Sequence, residues 1–441
     1  MKLTIFGTWY AGLVTGTCLA EVGHDVLCID VDTRKIESLK KWNIPIYEPG
    51  LEELVERNTK SGRLNFSTDA KAGVLHGKAI FNAVGTPPDR ENKNKADLSY
   101  VKEVAKTFGN YTNEYKVFIN KSTVPVGTGK LCQDIIKHEI YKREKNIAFD
   151  VVSNPEFLRE GTAVKDFLVP DRIVVGTESE KSQKLMHDIY KPLEREEVKI
   201  LFTDIKSAEL IKYAANAFLA TKISFINDIA NFSEKVWANI TDISEWVWLD
   251  KRIWKNFLSA GIGYGWSCLP KDVKALVETG KEYDYDFQII AAADRINEYQ
   301  KLKVLEILKS QFKTLKWLRV AIWWLAFKPN TDDTRESAAG VVINKLLKKD
   351  VACISAYDPI ATPHMKQEYL HEKRVSFPEQ SYDVVEDADV LLLLTEWDEF
   401  RAPDFKKIKK SMKWNLIIDG RNIWDQSIED EFDLKYISIG R

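Results

Sequence analysis

The chain has 441 residues, 44% of them hydrophobic and 29% charged, with a formal net charge of -2. That length supports two or three domains with their own cores, and the balanced charge excludes a general attraction to nucleic acid or to a membrane surface. Cys18, Cys28, Cys132, Cys268 and Cys353 are scattered and odd in number, and the six histidines do not cluster, so neither a disulfide framework nor a metal site is expected. No apolar run approaches the length of a membrane span and no signal region opens the chain, so a cytoplasmic location is expected.

Lys2 to Phe6 reads as a buried strand, Gly7-Thr8-Trp9-Tyr10-Ala11-Gly12 as a tight turn, Leu13 to Val22 as a helix and Asp25 to Asp30 as a second strand. This is the first unit of a dinucleotide-binding fold, in which a helix N-terminus takes a pyrophosphate and an acid closing the second strand takes ribose hydroxyls. Asp30 stands at that position and favours NAD, because a 2'-phosphate would be repelled. Further strand-then-loop units follow at Ala79 to Val84 with Gly85-Thr86-Pro87-Pro88, at Lys116 to Asn120 with Lys121 to Thr128, and at Phe149 to Val152 with Asn154 to Gly161. Loops after parallel strands are where such sheets hold ligands, which makes Thr123, Glu156 and Glu160 candidates beside ordinary turn and cap roles.

From Asp204 to about Glu234 there is neither Pro nor Gly, and Ile205, Ala208, Ile211, Ala215 and Phe218 recur at helical spacing. Such a helix can join two domains and offer a dimer surface. Lys212 and Asn216 are four apart and share a face, where a cation and an amide can address one oxygen. The loop Gly261 to Asp272 then brings three glycines ahead of Cys268, with Pro270 suited to the first turn of a helix. A thiol at a helix N-terminus with Lys271 nearby has its thiolate favoured and is a candidate nucleophile. A second alternation follows: Arg319 to Ala326 as a strand, Ser337 to Lys348 as a helix, and strands at Ala352 to Tyr357, Val390 to Thr395 and Leu416 to Ile418. Lys328 and Arg421 lie in loops after these strands, as cations able to hold a diphosphate.

Pro45 to Gly50, Gly85 to Pro88, Ser122 to Gly127, Asn154 to Gly161, Glu209 to Ile229, the cysteine loop, Phe327 to Thr331 and Asp419-Gly420-Arg421 together resemble the UDP-glucose 6-dehydrogenases of the UDP-glucose/GDP-mannose dehydrogenase family. The resemblance covers essentially the whole chain. It implies an α/β fold of two Rossmann-like parallel-sheet domains joined by a long central helix, divided as 1–200 for NAD, 201–300 for the helical dimerisation region with the cysteine loop, and 301–441 for the UDP-sugar, with the active site in the cleft between domains. It implies four-electron oxidation of UDP-glucose to UDP-glucuronate with NAD, through a thiohemiacetal and a thioester on Cys268, in a homodimer or higher homo-oligomer.

Carried over residue by residue, it gives Lys212 and Asn216 the developing oxyanion, Asp272 and Thr123 the water and its protons, and Glu156 the role of base in thioester hydrolysis. Gly7, Tyr10, Ala11, Gly12, Asp30, Lys35, Thr86, Thr123 and Glu160 lie along NAD. The sugar nucleotide is left to Glu156, Phe157, Leu158, Glu160, Lys212, Asn216, Phe257, Tyr264, Gly265, Phe327, Lys328 and Arg421, with Arg252 reaching in from a neighbouring subunit. A GDP-mannose 6-dehydrogenase would share the thiol chemistry and differ in base recognition.

Trp9, Trp42, Trp237, Trp246, Trp248, Trp254, Trp266 and Trp324 stand where that family has glycine. Adding these eight to the 21 glycines gives 29, close to the roughly 31 that average usage predicts for this length. One repeated replacement points to one cause, a source that reads the codon UGA as glycine. Accommodation by local shifts and an inactive nucleotide-sugar-binding protein are the alternatives, since an indole at Trp9 meets the pyrophosphate's path and Trp266 stands two residues before the thiol.

Overall fold

The computed structural model describes residues 1–194, 198–265 and 269–441, which form two compact units. The first unit comprises residues 1–215 with 278–284. Its sheet contains β1 (Lys2–Phe6), β2 (Asp25–Ile29), β3 (Leu64–Ser67), β4 (Ala79–Asn82), β5 (Lys116–Asn120), β6 (Phe149–Ser153), β7 (Arg172–Gly176) and β8 (Lys199–Thr203). Their order is β3-β2-β1-β4-β5-β6-β7-β8, parallel throughout except where Ser153 meets Gly176 in an antiparallel β6–β7 bridge. β1 lies between β2 and β4, so the chain winds outward, returns past β1 and reverses direction there. A ligand crevice opens at such a switch point.

The strands are short apolar runs because both sheet faces are covered. Leu3, Ile5, Val26, Cys28, Phe81 and Ile119 enter one core, and Phe6, Ile29, Ile80 and Phe118 the other. The second unit, residues 216–277 with 285–441, repeats this logic. β9 (Arg319–Trp323), β10 (Cys353–Tyr357), β11 (Val375–Ser376), β12 (Val390–Leu393), β13 (Leu416–Asp419) and β14 (Lys435–Ser438) pair in the order β11-β10-β9-β12-β13-β14, all parallel. Val320, Ile322, Leu392 and Ile418 face one core while Ala321, Trp323, Leu391 and Ile417 face the other. Period-two alternation along each strand produces that division.

The expected α/β architecture of two parallel-sheet domains and a long central helix is what the chain forms. The helix spans Ile205–Val236, 32 residues, and so runs about 48 Å at 1.5 Å per residue. At the N-terminus the helix begins earlier than the turn reading expects, at Tyr10 rather than Leu13. The reason is packing: a Cβ on Gly12 would stand 2.0 Å from the Gly7 carbonyl oxygen, so only glycine lets the first turn close so tightly against β1. Strand ends are also shorter than the apolar runs, β9 stopping at Trp323 and β12 at Leu393.

Candidate active site

In the first unit, β1 ends at Gly7, whose φ of 97° turns the chain into the helix Tyr10–Glu21. A Cβ there would lie 2.6 Å from the Ala83 carbonyl oxygen. Trp9 occupies the N-cap in extended conformation and its side chain makes no cap hydrogen bond to the first turn of the helix. At the end of β2, Asp30 accepts from the Thr8 amide at 2.9 Å, the Thr8 hydroxyl at 2.7 Å and Lys35 Nζ at 3.0 Å. Burial alone would raise the Asp30 carboxyl, but these donors and the Asp32 amide outweigh it and hold it below the usual range. The loop and its acid are thereby tied together by three hydrogen bonds. The glycine cradle and ionised acid suit a dinucleotide with free ribose hydroxyls, which Gly7, Ala11, Gly12, Asp30 and Lys35 would hold, while the Trp9 indole stands at the N-cap where the pyrophosphate would approach.

Tyr10 takes a structural position. Its hydroxyl is bonded to Glu48, and the Gly161 amide donates to both, at 2.9 Å to the Tyr10 oxygen and 2.7 Å to Glu48. Burial first, then the Glu48 contact, push the phenol far above its ordinary range. Glu48 thus ties the helix start to the 160–161 loop, a role that the sequence does not signal because its partners lie 38 and 113 residues away. Thr86 donates its hydroxyl to the Thr123 carbonyl at 3.0 Å, joining the loops after β4 and β5.

Glu156 and Lys212 meet as a nearly buried ion pair at 3.1 Å. The other Glu156 oxygen accepts from the Leu158 amide at 2.6 Å, which fixes the carboxylate. Lys121 lies beside them, bonded to Asn154 Oδ1 at 3.2 Å. Burial pushes its ammonium down to about 8, Glu156 opposing the shift and Lys212 adding to it. Phe157 and Leu158 line a cavity of ≈ 350 Å³ together with Lys121 and Asn154. Glu160 is buried in the loop that follows.

One turn beyond Lys212 on the same helix, in the second unit, Asn216 donates to Asp272 Oδ2 at 2.7 Å, and Lys271 pairs with Asp272 Oδ1 at 2.6 Å. Asp272 is 1% exposed and stands in the first turn of the helix Leu269–Glu282. Cys268, Ser267 and Trp266 lie outside the described residues. Of the other cysteines, Cys18, Cys28 and Cys132 are buried, and burial raises all three thiols, Cys132 to about 12, which unsuits them as nucleophiles.

The glycine loop ahead of Cys268 is held by amides that sequence reasoning missed. Asn297 accepts from the Tyr264 amide at 2.8 Å and donates to its carbonyl at 2.9 Å, while Asn227 accepts from the Gly261 amide and Gln300 donates to the Gly261 carbonyl, at 2.8 Å each. A Cβ on Gly263 would stand 2.5 Å from Asn297 Oδ1, and one on Gly265 2.5 Å from the Glu336 carbonyl. Tyr264 itself is buried among Ala220, Leu269 and Val273, so its ring serves packing. Arg421 connects the loops of this unit: Nε donates to the Leu394 carbonyl at 2.9 Å, and its two terminal nitrogens reach Gly263 and Phe327 carbonyls at 3.4 Å. Lys328 follows Phe327 directly, with Nζ 5.6 Å from its ring. Arg252 is highly exposed and paired with Asp250, and Phe257 has a positive φ of 68°.

A doubly wound sheet with a glycine-cradled helix N-terminus and an acid ending β2, combined with a second Rossmann-like unit, defines an NAD-dependent oxidoreductase. Comparison with known proteins gives the family. Residues 1–194 match the NAD binding domain of the UDP-glucose/GDP-mannose dehydrogenase family, 206–299 its central domain and 321–426 its UDP binding domain. The chain belongs to this family.

It is 45% identical over 440 residues to the UDP-glucose 6-dehydrogenase TuaD of Bacillus subtilis, covering 100% of this chain and 93% of that protein. It is 43% identical over 446 residues to the UDP-glucose 6-dehydrogenase of Rhizobium meliloti, covering 100% of both. The structure of a UDP-glucose dehydrogenase from the hyperthermophilic archaeon Pyrobaculum islandicum superimposes with a TM-score of 0.90 at 33% identity, covering 100% of this chain and 97% of that one. No described helix is long and apolar enough to cross a membrane.

Proposed function

We propose that this protein oxidises the C6 alcohol of UDP-glucose to the carboxylate of UDP-glucuronate, with two NAD and one water consumed per sugar. The observation that carries the reading is the paired arrangement on one helix: Lys212 fixed by Glu156, and Asn216, a turn away, fixed by Asp272. A cation and an amide held in place by carboxylates stabilise an oxyanion without reorganisation. When bound, NAD supplies the hydride acceptor for each of the two oxidations.

The chain's own residues do the rest. Lys212 and Asn216 stabilise negative charge on the C6 oxygen as its proton leaves. The Cys268 thiolate adds to the aldehyde carbon, giving a thiohemiacetal that the second oxidation converts to a thioester. Glu156 then takes a proton from water as it attacks the thioester carbon, the C–S bond breaks, and the thiolate returns. Asp272 and Thr123 hold that water and relay its proton. The burial of Cys18, Cys28 and Cys132 supports giving the covalent role to Cys268 rather than to any of those three. Phe157, Leu158, Glu160, Phe257, Gly265, Phe327, Lys328 and Arg421 contact the sugar nucleotide. Of these, Lys328 and Arg421 supply cations for its diphosphate.

The division into 1–200, 201–300 and 301–441 is supported by the family boundaries given above. A homodimer is supported by Phe218, Phe225 and Phe232, exposed on the central helix at seven-residue intervals and so on one stripe, with Arg252 offered to the partner. A cytoplasmic location accords with the free cysteines. Substrate choice is tested by following NADH with UDP-glucose and GDP-mannose in parallel. Turnover of UDP-glucose alone is expected; turnover of GDP-mannose in preference overturns the assignment.

A further inference from the structure

Five tryptophans sit in left-handed backbone: Trp42 at φ 64°, Trp237 at 56°, Trp254 at 65°, Trp317 at 74° and Trp324 at 80°. In that region a Cβ crowds the following carbonyl oxygen, so glycine is the usual occupant. Asn and Asp come next, because their short side chains bond to nearby backbone, and a bulky residue is an outlier. Of the fourteen non-glycine residues with positive φ among those described, six are Asp or Asn and five are Trp. Trp accounts for only 13 of the 441 residues, so its share of these positions calls for a cause.

The indoles do not supply one. Strained backbone persists only where its surroundings enforce it, yet Trp237, Trp254 and Trp317 are 93%, 67% and 71% exposed and can anchor little. Trp323 and Trp324 make the sharpest contrast, being adjacent and both fully buried. Trp323, in β9, donates its indole N–H to the Ser381 carbonyl at 2.8 Å and packs on Phe400 with ring centroids 4.2 Å apart. Trp424 likewise donates to the Phe400 carbonyl at 2.8 Å. The Trp324 N–H is buried without a partner. Trp397 also has an unpaired N–H but stands at φ -81°, so the backbone is the feature that separates the two groups.

We propose that the natural protein carries glycine at positions 42, 237, 254, 317 and 324, the codon UGA being read as glycine in the source and written here as tryptophan. Trp42, Trp237, Trp254 and Trp324 are among the eight positions that the family pattern marks, and Trp317 is added by its backbone alone. A single reading rule extends to Trp9, Trp246, Trp248 and Trp266. At position 9 the consequence is functional: without the indole, the N-terminus of the helix Tyr10–Glu21 is open to a pyrophosphate.

The test is to sequence the gene at all 13 tryptophan positions and to map the protein purified from its source by tandem mass spectrometry. UGA and a glycine-mass residue are expected at the five positions, Trp317 included, with UGG and tryptophan at Trp323 and Trp424. UGG at Trp317 or Trp324, or a peptide carrying tryptophan at any of the five, would overturn the proposal.

Discussion

Replacing Trp237, Trp254 and Trp317 by glycine together should stabilise the second unit. All three have left-handed φ and all are exposed, so strain is relieved while little apolar burial is lost. Relief of the Cβ clash is worth about 1–2 kcal/mol at each site. Against this, glycine gives the unfolded chain extra freedom worth about 0.4–1 kcal/mol. The net gain is about 0.5–1 kcal/mol per site, or about 2 kcal/mol for the triple variant if the sites are independent. For a unit of this size that corresponds to a rise in Tm of about 4–8 °C. Urea unfolding followed by far-UV circular dichroism, with thermal melts beside it, measures the change against the chain as written. Trp323→Gly is the control and should lose about 3–5 kcal/mol, because a packed and hydrogen-bonded indole is removed. A triple variant no more stable than the written chain would refute the strain argument.

Lys212→Met should leave Glu156 buried without its cation, costing about 3–5 kcal/mol of stability, and should lower kcat by about 10²–10³. Adding Glu156→Gln should restore much of the stability but not the rate, which denaturation and steady-state kinetics on the same preparations would distinguish. Two buried groups contribute pH dependence of opposite sign. Glu209 caps the helix Thr128–Lys142 through the Gly127 and Gly129 amides, and burial raises its carboxyl to about 7 despite those donors. The folded state therefore binds the extra proton, so stability falls as pH rises from about 4.5 to 7; Glu209→Gln should flatten that slope. Lys121 is the opposite case: burial lowers its ammonium to about 8, the unfolded state holds the proton more tightly, and stability rises from about pH 8 to 10.5. Lys121→Met should remove that rise in urea titrations across the range.

The features legible in the sequence were those set by local pattern. A strand, glycines and an acid at fixed spacing marked the Gly7 to Asp30 unit, and the absence of Gly and Pro marked the central helix to within two residues of its observed end. β3, β7, β8, β11 and β14 are not legible, because, unlike β12, none is a continuous run of apolar residues that stands out from its neighbours. Glu48 and Asn297 were missed for another reason. Their partners are distant in the chain, and nothing local distinguishes a carboxylate that bonds Tyr10 and Gly161, or an amide that pins Tyr264, from a solvated one. Trp317 escaped because its anomaly is a dihedral angle, visible only in the folded backbone.

The proposed four-electron oxidation through Cys268 is read out by the NADH formed per UDP-glucose consumed. The protein with glycine at all nine implicated positions should yield about two NADH per sugar, as two successive hydride transfers require. Its Cys268→Ser variant should fall well below two and stall near the aldehyde. One NADH per sugar from the glycine protein with Cys268 intact, or an undiminished two from its serine variant, would rule out a thioester on Cys268.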